Sequence, residues 1–339
     1  MRFDRVPGPS PSAGFLTFAG NTEAKERLSA CIDGGRLPHA LLFEGPAGSG
    51  RRTLARLTAM AAVCTGEGEK PCGVCPGCRK AAAGSHPDIL EAGGEGAARS
   101  FHIDTVRALR EDAYILPNEA PRRVFLLAEA QNMTEQAQNA LLKIIEEPPA
   151  QVVFLLTCNN RARVLPTILS RAAVLPLSVC SVQECETALH TLEPQMTAER
   201  IAQAARLAHG NIGKARMILQ DEGSLKLACD AQRIAQMVCV GQEFELLCSL
   251  QEYTNNKQRT NFLLLMQEVR RCMVDWIRQQ HGLVSQGEPL PPTVKNRFST
   301  LQAMQILDII DTAVAQASQN VSLSLVAAAF CAAVKMKRQ

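Results

Sequence analysis

A chain of 339 residues with 46% hydrophobic and 20% charged residues has the make-up of a soluble globular protein. At roughly 150 residues per domain it holds two or three domains, and disorder as its main state is excluded. Thirty-six Lys plus Arg against 33 Asp plus Glu leave a net charge of +3, which excludes a polycation that coats nucleic acid. Aromatic residues at 4% are too few for a base-stacking platform on single strands.

In chain order, the opening MRFDRVPGPSPSAG lacks the apolar centre of a secretory leader. No uncharged apolar run reaches membrane-spanning length, so no membrane association is expected and the expected location is the cytoplasm. Short apolar runs follow at Ala40–Phe43, Val124–Leu127, Val152–Leu156 and Ala173–Leu175. Their apolar character on both faces predicts buried parallel strands, with helices between them. One such helix is predicted over Glu135 to Glu147, stopped by Pro148-Pro149. Fourteen of the 18 prolines precede residue 178. Beyond it the chain reads as successive helices, among them Asn261 to Gln280, with Leu265, Val269, Cys272 and Trp276 on one face, and another from Leu301. A Gly/Pro/Ser-rich loop is predicted over His281 to Pro292. An α/β domain followed by an all-α region is therefore expected.

The run after Phe43 is Glu44-Gly45-Pro46-Ala47-Gly48-Ser49-Gly50-Arg51-Arg52-Thr53, then a predicted helix. Strand, glycine-rich turn and helix form a phosphate cradle, in which backbone N–H groups face the anion. Gly45 and Gly50 fit the pattern G-x-x-x-x-G-K-[ST]. Arg51 stands in the lysine position, Arg52 in the hydroxyl position that ligates Mg²⁺, and Thr53 comes one residue late. A second Mg²⁺ contact belongs at the end of an apolar strand, where Val124–Leu127 leads to Ala128; Glu129, in the position of a water-polarising acid, is present. Two independent losses argue against hydrolysis, and ATP is expected to be either not bound or not hydrolysed by this chain. An autonomous ATPase, with Arg51 replacing lysine, is the alternative.

Cys64, Cys72, Cys75 and Cys78 have the spacing C-x7-C-x2-C-x2-C in a Gly/Pro-rich segment. Four thiolates suit a closed, structural Zn site with no open catalytic position. Redox use of the overlapping C-x-x-C pairs, or a zinc-dependent nucleic-acid module, are alternatives. The other nine cysteines are expected in the core.

Taken together, FAGNTEAKERL (18–28), RLPHALLFEGPAGSG (36–50), the four cysteines, SHPD (85–88), NALLKIIEEPP (139–149) and LPTILSRA (165–172) carry a resemblance. The chain resembles the AAA+ clamp-loader family of bacterial DNA polymerase III, on its delta-prime branch. GNIGKA (210–215) and NVSLSL (320–325) fit more loosely. The resemblance implies an α/β P-loop AAA+ domain over 1–178 with a zinc-binding insertion at 64–78, a helical lid over 179–222 and an all-α collar that oligomerises over 223–339. It implies a non-hydrolysing part of the holoenzyme that polymerises DNA. The implied partners are tau/gamma motor subunits, a delta subunit, the sliding clamp and primed DNA. It assigns Arg171, in Ser170-Arg171-Ala172, to a finger acting in trans on ATP held by a neighbouring motor, although Ala172 replaces the family's cysteine. Asn159 matches a polar sensor. His86 is expected to pack, and Lys143, Glu146 and Glu147 to form a solvated helix face.

Overall fold

The computed structural model describes residues 14–93, 103–255, 259–283, 291–294, 299–319 and 321–338. The Pro/Ser stretch before residue 14, Asn320 and most of the 281–292 loop lie outside these. The chain divides into two compact units, 1–180 and 181–339.

The first unit is built on five parallel strands: β1 (Ala40–Glu44), β2 (Ile89–Gly93), β3 (Arg123–Ala128), β4 (Val152–Cys158) and β5 (Ala173–Pro176). Their order is β2-β3-β4-β1-β5. Successive side chains point to opposite faces, and both faces are covered. Leu41, Phe43, Val124, Leu126, Val153 and Leu155 pack with Leu54 and Leu57 of α2 (Arg51–Ala62) and Leu28 of α1 (Thr22–Asp33). Leu42, Phe125, Leu127, Phe154 and Leu156 pack on the other face, where Phe125 and Phe154 stack at 5.5 Å between ring centroids. That face is covered by Val106 and Leu109 of α4 (Ile103–Ala113), Leu141, Ile144 and Ile145 of α5 (Glu135–Glu146), and Ile168 of α6 (Pro166–Leu169). A short α3 (Pro76–Ala82) follows the cysteine segment.

Register places the carboxyl ends of β1 and β4 side by side, with Glu44 opposite Cys158, while Leu127 of β3 lies opposite Leu156. Connections leaving β1, β3 and β4 therefore converge at one sheet edge, where open α/β sheets place ligand sites.

The four strands expected from sequence are present, and α5 ends at Glu146. The fifth strand, β2, carries Glu91 at only 6% exposure. A buried carboxylate inside the run hides it from a hydrophobicity reading.

The second unit is helical. Its first helix, α7 (Val182–Leu192), opens with a capping box in which Ser181 and Glu184 satisfy each other's backbone N–H groups. Helices α7, α8 (Ala198–Leu207) and α9 (Ile212–Gln220) share a core of Cys185, Leu189, Ile201, Ala205 and Ile218. A separate, larger core joins α10 (Glu222–Val240), α11 (Glu243–Gln251), α12 (Arg259–Gln280), α13 (Thr300–Ser318) and α14 (Leu323–Arg338). Helix α10 contributes to both, through Ala228 and then Ile234 and Val238. None of the helices among the described residues is long and apolar enough to cross a membrane.

Candidate functional site

The turn between β1 and α2 needs its glycines. Gly50 sits at φ +87°, and a Cβ there would lie 2.6 Å from the Phe18 ring; one on Gly45 would lie 2.6 Å from the Leu177 carbonyl oxygen. Gly50 leads into Arg51, the first residue of α2.

Arg51 is only 6% exposed, and its Nη2 lies 3.1 Å from Oε1 of Glu129. Glu129 follows β3 in left-handed conformation at φ +58° and donates its backbone N–H to Thr157 Oγ1 at 3.0 Å. Gln131 Nε2 donates to Glu129 Oε2 at 2.6 Å, and Gln131 Oε1 accepts the backbone N–H of Asn159 at 3.3 Å. The phosphate turn, the acid after β3 and the polar residue after β4 are thus joined within the chain. The Glu129 carboxylate thus already faces a guanidinium at Oε1 and an amide donor at Oε2.

Arg52 turns away from the cradle and pairs with Glu91 of β2. Arg56, one turn on, reaches the same carboxylate through Nε at 3.0 Å and Nη2 at 3.1 Å. Ala128 is fully buried and offers no oxygen ligand beyond its backbone, and Thr53 is exposed. The arginines in the Lys and Ser/Thr positions therefore have structural partners, Glu129 and Glu91, that sequence alone leaves unassigned. The one available signal is the i, i+4 spacing of Arg52 and Arg56 on the face turned to β2.

Arg171 follows α6 and its side chain is 38% exposed. Its Nη1 donates to the Thr167 carbonyl and to Ser170 Oγ, both at 3.1 Å, and its Nη2 lies 2.9 Å from Glu146 Oε1. Glu146, expected on a solvated face, is half exposed and holds this pair.

The four cysteine sulfurs lie within 4.8 Å of one another. Cys72 and Cys78 sulfurs are 3.9 Å apart, as are Cys64 and Cys75. Sulfurs around a tetrahedral Zn²⁺ at about 2.3 Å stand about 3.8 Å from each other, so the set fits a metal ion. Backbone N–H groups of Cys72, Cys75 and Cys78 donate to the sulfurs of Cys64, Cys72 and Cys75 at 3.4–3.5 Å. Burial opposes ionisation of Cys75, yet the amides of Cys78 and Thr65 bring its thiol down to about 6. A Cβ on Gly66 would lie 2.5 Å from the Cys72 sulfur, so the loop closes tightly on the cluster. Elsewhere Cys158, Cys180, Cys185, Cys239 and Cys272 are buried as expected, but Cys229 and Cys248 are exposed.

His86 is buried, and its Nδ1 accepts the Asp88 backbone N–H at 3.1 Å. Asp88, fully buried, accepts the backbone N–H groups of Asn118, Glu119 and Ala120 at 2.7–3.0 Å and the Asn118 amide at 3.1 Å. The SHPD segment is thus a hub for the 118–120 turn. Lys80 of α3 ties to the same turn through Glu119 at 2.6 Å.

A family model described as DNA polymerase III, delta subunit, matches residues 20–181. The delta-prime subunit of Escherichia coli DNA polymerase III is 30% identical over 258 residues, covering 76% of this chain and 75% of that protein. The Pseudomonas aeruginosa delta-prime subunit is 37% identical over 189 residues, 52% of this chain and 55% of that one. The gamma/tau subunit of Mycobacterium tuberculosis is 38% identical over 165 residues, and this chain spans only 28% of its length.

Proposed function

We propose that this chain, which belongs to the delta-prime family of DNA polymerase III, acts as the non-hydrolysing subunit of a clamp loader and lends an arginine to a neighbour. The observation that carries the reading is the buried Arg51–Glu129 pair: the cation that should meet phosphate and the acid that should activate water neutralise each other. With Arg52 spent on Glu91 and Ala128 in place of an acid, neither Mg²⁺ contact remains.

The partners in this reading are tau/gamma-type motors, a delta subunit, the sliding clamp and primed DNA. Arg171 is the trans-acting finger. It stands half exposed beyond α6 and offers paired donors where charge grows on a transferring phosphoryl group. The first unit is the AAA+ domain. Residues 179–222 form the lid and 223–339 the oligomerising collar, a division supported by two cores, one of α7–α9 and one of α10–α14, which α10 joins through Ala228. Cys64, Cys72, Cys75 and Cys78 hold zinc. The ion fills all four positions with thiolates, so it braces the insertion and does no chemistry on substrate.

The experiment is ATPase turnover with a motor subunit, clamp and primed DNA. The chain alone is expected to be silent, the motor stimulated by it, and the stimulation lost with Arg171→Ala while the complex stays assembled. Stimulation that survives Arg171→Ala overturns the finger assignment.

A further inference from the structure

The pair between Arg171 and Glu146 is unusual for where it places its acid. Glu146 is the last residue of α5, and Glu147 follows it. A helix carboxyl terminus carries partial negative charge, so a carboxylate there is disfavoured and a cation preferred. The single base of the last turn is Lys143. The sequence thus spends two acids where helix electrostatics resists them, and one of these meets Arg171 at 2.9 Å.

The rest of Arg171 is fixed in a matching way. Its backbone N–H donates to the Ile168 carbonyl at 3.1 Å, and Ile168 is fully buried under the sheet. One end of the guanidinium is held by the Thr167 carbonyl and Ser170 Oγ. Glu146 holds the other end from a different helix. A guanidinium carries five N–H donors, so three contacts leave two N–H groups for an external oxyanion. A long, half-exposed side chain held at both ends is a preorganised donor rather than a mobile one.

We propose that Glu146 is a positioning residue for Arg171: it clamps the guanidinium in the pose from which the remaining donors meet a phosphoryl oxyanion supplied by another subunit. The inference rests on the finger reading of Arg171. Holding one rotamer-rich side chain in place is worth roughly two- to tenfold in rate. The benefit appears in the transition state, where the arginine acts, rather than in ground-state ATP binding.

The test is steady-state ATPase of the reconstituted motor complex carrying Glu146→Ala, Glu146→Gln or Arg171→Ala in this chain, with co-elution to verify assembly. Glu146→Ala is expected to lower the stimulated kcat two- to tenfold with KM for ATP unchanged. Glu146→Gln, which keeps an acceptor for Nη2, is expected to recover part of that loss, and Arg171→Ala to lose more than either. Unchanged kcat in Glu146→Ala beside a fall in Arg171→Ala overturns the positioning role and leaves the finger standing. A rise in Glu146→Ala also overturns it, since the pair would then be a restraint that has to break. No change in Arg171→Ala removes both the finger and its clamp.

Discussion

Glu129 and Arg51 lie 78 positions apart in sequence and meet across two strand ends. Each was legible alone, Arg51 as a substitute in the lysine position and Glu129 as a surviving acid, but nothing local in the sequence joins them. Only the β1-β4-β3 register brings them together. Removing one partner of a buried pair leaves an uncompensated charge, at a cost of about 3 kcal/mol. Glu129→Ala is therefore expected to lower the melting transition of the first unit in calorimetry, and Arg51→Met added to it to restore at least half of the loss. Asp88 gives a pH-dependent counterpart. Burial would raise its carboxyl, but the N–H donors of Asn118, Glu119 and Ala120 hold it below the ordinary aspartate value of 3.8. A depressed carboxyl stabilises the fold fully above that value and ceases to do so as pH falls through its own lower value. Asp88→Asn is expected to cost about 2 kcal/mol at pH 7, with the gap to the parent chain narrowing below pH 3.8 in denaturant titrations.

Among elements, the contrast between β1 and β2 explains what a sequence reading reaches. Ala40–Phe43 is apolar on both faces and stands out, whereas Ile89–Gly93 hides Glu91, whose burial depends on Arg52 and Arg56 of another element. Cysteine spacing was readable because a four-thiol cluster able to hold a metal ion needs few residues close in sequence. Its connection to the 118–120 turn through Lys80, His86 and Asp88 was not, since it runs between residues 30 to 39 positions apart. Metal binding and folding of such a segment are coupled. The purified chain is expected to carry one zinc by elemental analysis. Cys75→Ser or chelation is expected to raise amide exchange over residues 64–82 and to spread to 118–120, leaving α12 protected. Retained protection over 64–82 after metal loss contradicts the structural-zinc assignment.

At the scale of the whole molecule, sequence separated an α/β half from a helical half but gave no sign of the partly buried charges in the second. Lys214 of α9 and Arg271 of α12 share Glu268, while Arg271 also caps α8 through the Leu207 and Ala208 carbonyls at 3.0 and 3.2 Å. Burial, then the neighbouring Arg271, brings Lys214 down to about 8 against the pull of Glu268. Between that value and 10.5 the unfolded chain holds more protons than the folded one, so this lysine makes stability rise with pH there. Lys214→Met is expected to flatten that rise between pH 8 and 10 in urea titrations and to leave stability at pH 7 equal or higher. Glu268→Leu, which removes the carboxylate that Lys214 and Arg271 share, is expected to cost about 2 kcal/mol.

The proposed role requires that the first unit turn over no ATP of its own. The most direct measurement is equilibrium binding and turnover of Mg²⁺-ATP by the isolated full-length chain. Neither Mg²⁺-dependent saturable binding nor phosphate release is expected, because Arg51 and Arg52 are committed to Glu129 and Glu91. Saturable Mg²⁺-dependent binding with turnover would contradict a closed site and make the chain a motor in its own right.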